Sequence, residues 1–412
     1  MYRQNDKFLL YYSSSIHFFC LVMMVLKYNI KCIEGIVSIL FMEFVMGYKE
    51  RKILYQELEK YRGHPVIAYV TSSRQNAGGS IASDAVRPFV KQLEMLKETP
   101  KEIDLLVNSN GGDGLASWRL ITLLREYLGK DGKITCLVPF YAFSAATHMA
   151  VGCDEIFLHP WAALGPVDPQ MIVNNKDGTQ QFAYEDVSAY TNFLKEETGI
   201  TEQKEKVELL SSLVNQITPS AIGAAKRASM QSITMAEKLL KLHMTGTEAQ
   251  TAEAIAQKLS KSYYSHGHAV TKTEAKQLGL KLSKEDPVIE RIIWAIYTDF
   301  ENEMKMCEPF DPTMTYFSVP ETAFMLEPPP FVNLPGNLDP QMAKQLFDHI
   351  INSSIKPGVL VDYKLLHASI ESINHSEMVV SKGKIMGTRL PNLSFNIGMV
   401  QLSAKWEVNT SE

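Results

Sequence analysis

Three short β-branched runs, separated by two helical patterns, constrain this chain more than any other feature. They are Pro65-Val66-Ile67-Ala68-Tyr69-Val70-Thr71, Ile103-Asp104-Leu105-Leu106-Val107 and Ile134-Thr135-Cys136-Leu137-Val138. Each is short and almost continuously apolar, the pattern of a strand buried on both faces. Between them, Ala85 to Leu96 and Leu115 to Leu128 carry apolar residues at helical spacing. Strand, helix, strand, helix, strand is the order of an α/β fold: a largely parallel sheet with flanking helices and crossover connections. An opening helix is expected from Lys49 to Tyr61. A small-residue helix from Ser144 to Val151 and a further short strand at Glu155-Ile156-Phe157-Leu158 follow the third run.

Ligands of such sheets sit beyond the carboxyl ends of the strands. Two motifs fall there. Asn108-Ser109-Asn110-Gly111-Gly112-Asp113-Gly114 follows the second strand, and Tyr141-Ala142-Phe143-Ser144-Ala145-Ala146-Thr147 follows the third. Glycines let a substrate carbonyl approach the backbone closely, and the first residues of a helix have unpaired N–H groups. The Gly111-Gly112 turn and the helix start at Ser144 together therefore make a candidate oxyanion hole. Ser144 would hold its hydroxyl at the positive end of the helix dipole, where a nucleophile is assisted. Taken singly, Gly111-Gly112 reads as a turn and Ser144 as an N-cap.

At 412 residues the chain exceeds what one core usually serves, so one large domain with appendages is expected. Residues 46–304 are taken as the main domain. Val207 to His243 is helical in pattern, with a helix start at Thr218-Pro219, and Thr247 to Leu259 and Thr273 to Leu278 are further helices. Residues 305–412 form a Pro-rich extension (Pro309, Pro312, Pro320, Pro328, Pro329, Pro330, Pro335), read as a linker or wrapping segment. Its end alternates weakly, as in Phe395-Asn396-Ile397-Gly398-Met399-Val400-Gln401-Leu402, a pattern compatible with strands.

Residues 1–45 are a hydrophobic segment with two readings: a membrane anchor, or upstream sequence that is not translated. Phe8 to Leu26 is borderline for the roughly 20 apolar residues a spanning helix needs, and Ile33 to Met46 is shorter and holds Glu34 and Glu43. Met46-Gly47-Tyr48-Lys49-Glu50-Arg51 is an ordinary soluble start. A net charge of −5 gives no electrostatic reason to expect nucleic acid. Five scattered cysteines (Cys20, Cys32, Cys136, Cys153, Cys307) without CxxC spacing fit a reducing compartment and argue against a disulfide framework or a structural metal. The expected location is the cytoplasm, or the cytoplasmic face of a membrane if residues 8–26 are translated.

The motifs in their order resemble the serine dehydrogenase proteinase family, which belongs with Clp protease and signal peptide peptidase A in the Clp/crotonase fold. The resemblance rests on Asn108-Ser109-Asn110-Gly111-Gly112, Val138 to Thr147, Cys153-Asp154-Glu155-Ile156 and Ala163-Leu164-Gly165-Pro166-Val167-Asp168-Pro169-Gln170. It continues at Ser265-His266-Gly267-His268-Ala269-Val270 and Glu274 to Leu280. It implies Ser144 as nucleophile, Gly112 and the Ala145 amide as oxyanion donors, and Gly111 as the residue that shapes the turn. Ala145-Ala146 stands where the family more usually has Gly-Gly, and Ser109-Asn110 where it has Thr-Pro; small residues are kept after the serine.

The resemblance further implies a serine peptidase acting on polypeptide through an acyl-enzyme, a homo-oligomer, and no metal or nucleotide cofactor. For the general base the resemblance to signal peptide peptidase A implies a Ser-Lys dyad: Lys195 falls at the spacing from Ser144 at which that family carries its dyad lysine, and Lys204, Lys206 or a histidine are alternatives. His148 lies one turn after Ser144 on the same helix face. Asp168 stands where Clp protease has its histidine, and would orient a base or cap a turn. His266 and His268 sit in a loop-like run, where functional residues concentrate. Two rival readings of the chain are a non-catalytic scaffold that binds peptides or self-assembles, and crotonase-like chemistry on a thioester.

Overall fold

The computed structural model describes residues 47–410, apart from 176–177, 200–201, 264, 328–338, 354–357 and 391–393. The expectations for residues 8–46 lie outside the described residues. Among the described residues no helix is long and apolar enough to cross a membrane.

Helix α1 (Tyr48–Arg62) is amphipathic, burying Tyr48, Leu54, Tyr55 and Leu58, and ends at Gly63 in the left-handed conformation that a glycine adopts without penalty. Strand β1 (Val66–Thr71), helix α2 (Val86–Glu94), strand β2 (Glu102–Asn108), helix α3 (Gly114–Leu128) and strand β3 (Lys133–Val138) then alternate as the sequence pattern requires. β1 is buried along its whole length, which is why its residues are apolar without alternation. Strand β4 (Tyr141–Ala142) leads into helix α4 (Ala145–Val151), and strand β5 (Glu155–Leu158) completes the parallel part of the sheet. Every residue of α4 is buried; Ala145, Ala146 and Ala150 are small because α3 and a later helix pack directly on them.

Strand β6 (Ala163–Leu164) is followed by the hairpin β7 (Gln170–Asn175) and β8 (Gly178–Ala183). Helices α5 (Tyr184–Glu196), α6 (Gln203–Gln216), α7 (Pro219–Lys241) and α8 (Ala249–Lys261) come next. The long helical pattern divides at Thr218, whose hydroxyl accepts from the Ala221 amide with Pro219 in the first turn. Strand β9 (Val270–Thr271), helix α9 (Lys272–Leu278) and helix α10 (Pro287–Glu303) close the first part of the chain.

The Pro-rich region is no free linker where it is described. Helix α11 (Pro312–Phe317) and a 3-10 turn (Pro320–Leu326) pack Phe310, Tyr316 and Met325 into a second core with Val361, Tyr363, Leu365 and Ile385. After helix α12 (Pro340–Ser353), strands β10 (Leu360–Glu371), β11 (Ser376–Arg389) and β12 (Phe395–Val408) run antiparallel. The seven-stranded sheet has the order β12-β11-β10-β1-β2-β3-β5, parallel from β1 to β5 and antiparallel beyond β1.

The two ends of the chain are joined by a buried ion network. Arg51 of α1 reaches Glu371 of β10 at 2.6 Å, Glu303 at 2.7 Å, and Asp299 of α10. Tyr55 donates to Glu371 at 2.9 Å, and Phe300 lies under the guanidinium at 3.9 Å.

Candidate active site

A three-stranded sheet of two-residue strands, β4-β6-β9, positions the site. β4 and β6 are parallel, with Ala142 opposite Leu164, and β9 is antiparallel to β6, with Val270 opposite Leu164. Ser144 follows the carboxyl end of β4, Asp168 follows that of β6, and His266 precedes the amino end of β9. The register therefore brings all three to one edge of this small sheet.

Ser144 has φ 52° and ψ −116°, a conformation that L side chains rarely adopt and that costs roughly 1–3 kcal/mol. The serine makes no side-chain cap bond to the helix it precedes, so its hydroxyl is not engaged as an N-cap. Neighbouring bonds enforce the turn. The Phe143 amide donates to Ser109 O at 2.9 Å, the Tyr141 amide to Asn108 Oδ1 at 3.0 Å, and the Ser117 hydroxyl to Ala145 O at 2.7 Å. Thr147 Oγ1 sits 2.7 Å from Ala142 O and accepts from the Gly165 amide at 3.1 Å, tying β4, α4 and the end of β6 together.

The two glycines differ in what they do. Gly111 has φ 107°, and a Cβ on it would stand 2.7 Å from both Phe143 O and Ser144 Cβ, so only glycine lets this turn lie against the serine. Its amide donates to Ser109 Oγ at 3.0 Å, an oxygen that also accepts from Thr71 Oγ1 at 2.7 Å. Gly111 is thereby occupied as a donor and serves the turn, not the hole. The amides of Gly112 and Ala145 have no acceptor among the described residues, and both residues line one cavity of about 350 Å³ with Ser144. Two free N–H groups beside a serine hydroxyl can hold the oxyanion of a tetrahedral intermediate.

The same cavity is lined by His266. His266 Nδ1 lies 2.8 Å from Asp168 Oδ1, and Asp168 is buried, its second oxygen accepting from Gln170 Nε2 at 3.1 Å. The hydrogen bond to Asp168 raises the pKa of His266 against a smaller opposing push from partial burial. With Nδ1 held by the carboxylate, the proton on that nitrogen leaves Nε2 free to accept one.

Lys195 is not brought to Ser144. It is exposed near the end of α5, where Leu194 is the buried residue, and it does not line the serine cavity. Between Ser144 and Lys195 the chain passes through β7 and β8, which form a two-stranded sheet of their own. Lys204 is likewise exposed, and the Lys206 side chain lies outside the described residues. His268 pairs with Glu274 at 3.1 Å, stacks on Tyr263 and lines no part of the cavity. His159 stacks on Trp294 with the exposed Trp161 beside it, away from the serine. His148 does line the cavity, but its Nε2 lies 3.2 Å from Ser232 O and burial pushes its pKa down to about 4. His266 was one of two histidines in a loop-like run; its separation from His268 needed the pairing of β6 with β9.

Two relatives from Methanocaldococcus jannaschii are similar in sequence. The uncharacterized protein MJ1495 is 28% identical over 254 residues, covering 60% of this chain and 76% of the relative. The uncharacterized protein MJ0137 is 28% identical over 197 residues, covering 47% of this chain and 59% of the relative. Among solved structures, a serine-to-alanine mutant of the 1510-N membrane-bound stomatin-specific protease matches with TM-score 0.33 and 15% identity, covering 53% of this chain and 80% of that one. A lysine-to-alanine mutant of the same protease, in complex with a substrate peptide, gives 0.32 and 16%, covering 53% and 76%. The family model of ClpP-like SDH-type serine proteinases matches residues 14–184, a span that includes Gly111, Gly112, Ser144 and Asp168. Over those residues the chain is similar to the ClpP-like SDH-type serine proteinases.

Proposed function

We propose that this protein is a serine peptidase that cleaves polypeptide through an acyl-enzyme at Ser144, with His266 as general base and Asp168 as the group that orients it. The observation that carries this reading is His266, on the wall of the cavity that also holds Ser144, Gly112 and Ala145, with its Nδ1 2.8 Å from the buried Asp168 carboxylate. In the first half-reaction His266 Nε2 takes the Ser144 proton as Oγ bonds to the scissile carbonyl carbon. The oxyanion forms against Gly112 and Ala145, and the amine leaves with the proton that His266 returns. Water then repeats the sequence on the ester. The imidazolium formed at each attack is stabilised by the Asp168 carboxylate.

Reaction with an alkyl fluorophosphonate, read by intact mass, tests the reading. The parent is expected to gain one adduct, at Ser144, and both Ser144→Ala and His266→Ala are expected to lose it. A Ser144→Ala protein labelled as fully as the parent sinks the nucleophile; a folded parent that takes no label favours a peptide-binding scaffold. Loss of labelling in Lys195→Ala with His266→Ala unaffected would return the base to the lysine.

A further inference from the structure

His148 carries a buried nitrogen that the proposed mechanism does not use. Its Nε2 lies 3.2 Å from both the carbonyl oxygen and the hydroxyl of Ser232. That hydroxyl donates to Val167 O, so the imidazole must be the donor to Ser232 and the ring proton sits on Nε2. Nδ1 is left as a bare acceptor, buried and without a partner among the described residues. An unused buried acceptor is a liability that an apolar side chain of similar size would avoid.

The Nδ1 edge faces the space where a side chain on Gly114 would be. A Cβ there would stand 3.6 Å from Nδ1 and 2.9 Å from the terminal methyl of Met235. Gly114, His148, Ser232 and Met235 line the same cavity as Ser144, Gly112 and Ala145. The nearest atom in the recess is the end of a thioether chain, an adaptable apolar side chain.

We propose that this recess is the subsite for the side chain of the residue whose carbonyl Ser144 attacks, and that His148 Nδ1 selects a neutral hydrogen-bond donor there, a hydroxyl or a carboxamide. The inference rests on the reading of Ser144 as nucleophile. A carbonyl oxygen held by Gly112 and Ala145 leaves its own side chain in the cavity these residues share with His148. Met235 swings aside, and Gly114 offers no side chain to block the approach. An apolar side chain of the same shape fits but leaves Nδ1 unpaired. An ammonium group is disfavoured because a neutral imidazole does not compensate a buried charge.

The test uses two peptidyl diphenyl phosphonates that differ only in a threonine or valine side chain at the reacting position. The parent is expected to react about tenfold faster with the threonine form, the discrimination one buried hydrogen bond supplies. His148→Leu should bring the ratio near one, while His148→Asn, which keeps an acceptor at the same position, should retain a preference. Gly114→Ala, which fills the recess and puts a methyl against Nδ1 while leaving the histidine in place, should also lower the ratio and serves if His148→Leu does not fold. Equal rates with the parent, or an unchanged ratio in His148→Leu, overturn the subsite. The plain fluorophosphonate separates the two readings because it carries no side chain. If it fails to label the parent, the nucleophile is at fault. The subsite is then read from calorimetric affinities of the threonine and valine peptides for the parent and His148→Leu, with the same two outcomes.

Discussion

At the scale of single residues, the Asp168 carboxylate does two things for His266: it fixes the tautomer and raises the affinity of the imidazole for a proton, as the proposed role of general base requires. The hydrogen bond to Asp168 is the main cause of the raised pKa, while partial burial pushes the other way. In Asp168→Asn the raising interaction goes and the burial stays, so the His266 pKa falls. A base works in its neutral form, so the acid limb of kcat/KM against pH should move to lower pH. The rate at its plateau should drop by about 10³–10⁴ because the amide favours the wrong tautomer. A limb that stays in place would remove Asp168 from the base pair. His148 gives a second pH signature, one of stability. Its pKa is about 4 folded, lowered by burial from the ordinary 6.5, so the unfolded chain binds the extra proton between these values. Stability should be fully present above pH 6.5 and fall as pH drops toward 4, by up to about 3 kcal/mol from this group. Urea midpoints at pH 7 and pH 5 check it, and His148→Leu should flatten the difference. The turn at Ser144 and the Gly-Gly turn were legible in the sequence because their geometry is local: a contiguous run of small residues states its own backbone conformation. The proposed base was not, since His266 and Asp168 meet only through the pairing of distant segments.

At the scale of elements, the β4-β6-β9 sheet does the assembling, and its strands are two residues long. Periodicity needs four or more residues to show a strand, so this sheet leaves no trace in the pattern that exposed β1, β2, β3 and β5. Buried polar bonds hold such short strands in place. Thr147 is the clearest case: its hydroxyl bonds Ala142 at the end of β4 and Gly165 just past β6, with all three atoms buried. Thr147→Val keeps the shape and removes the hydroxyl's bonds, leaving the Gly165 amide and the Ala142 carbonyl with only their own bond of 3.2 Å. The expected loss is about 1 kcal/mol in the urea unfolding free energy. Activity is expected to fall further than this loss of folded protein explains, because the spacing between the segments that carry Ser144 and Asp168 is no longer pinned. An activity that tracks the folded fraction alone would mean that the two segments are held by packing instead.

At the scale of the whole molecule, the C-terminal strands are part of the structure that supports the site. The sequence pattern drew a boundary at residue 304 because composition turns Pro-rich there, and composition does not report which strand edge a later segment will join. β10 pairs with β1 from Ala68 to Thr71, and Ala368 and Ile370 enter the same core as Ala145, Ala146 and Val167. Gln92 of α2 donates to Ile370 O at 3.2 Å. Glu371 neutralises Arg51, which is wholly buried and shares its charge with Asp299 and Glu303. A chain ending at residue 304 would therefore lose several supports together. The long edge of β1 would be open to solvent and to other chains, the core would be uncovered on one side, and Arg51 would face two carboxylates where three now surround it. Loss of Glu371 leaves the buried Tyr55 hydroxyl without its acceptor, a cost of about 1–3 kcal/mol by itself and a sizeable part of what a domain usually has. An exposed apolar strand edge then favours aggregation over refolding. The expected outcome for residues 47–304 is an insoluble or molten product, with no cooperative thermal transition by circular dichroism and no fluorophosphonate labelling of Ser144. Adding the 305–410 segment back as a separate chain should restore both if its role is to complete the sheet. A truncated chain that melts cooperatively and labels at the parent rate would instead mean that β1 tolerates an open edge and that the parallel half folds alone.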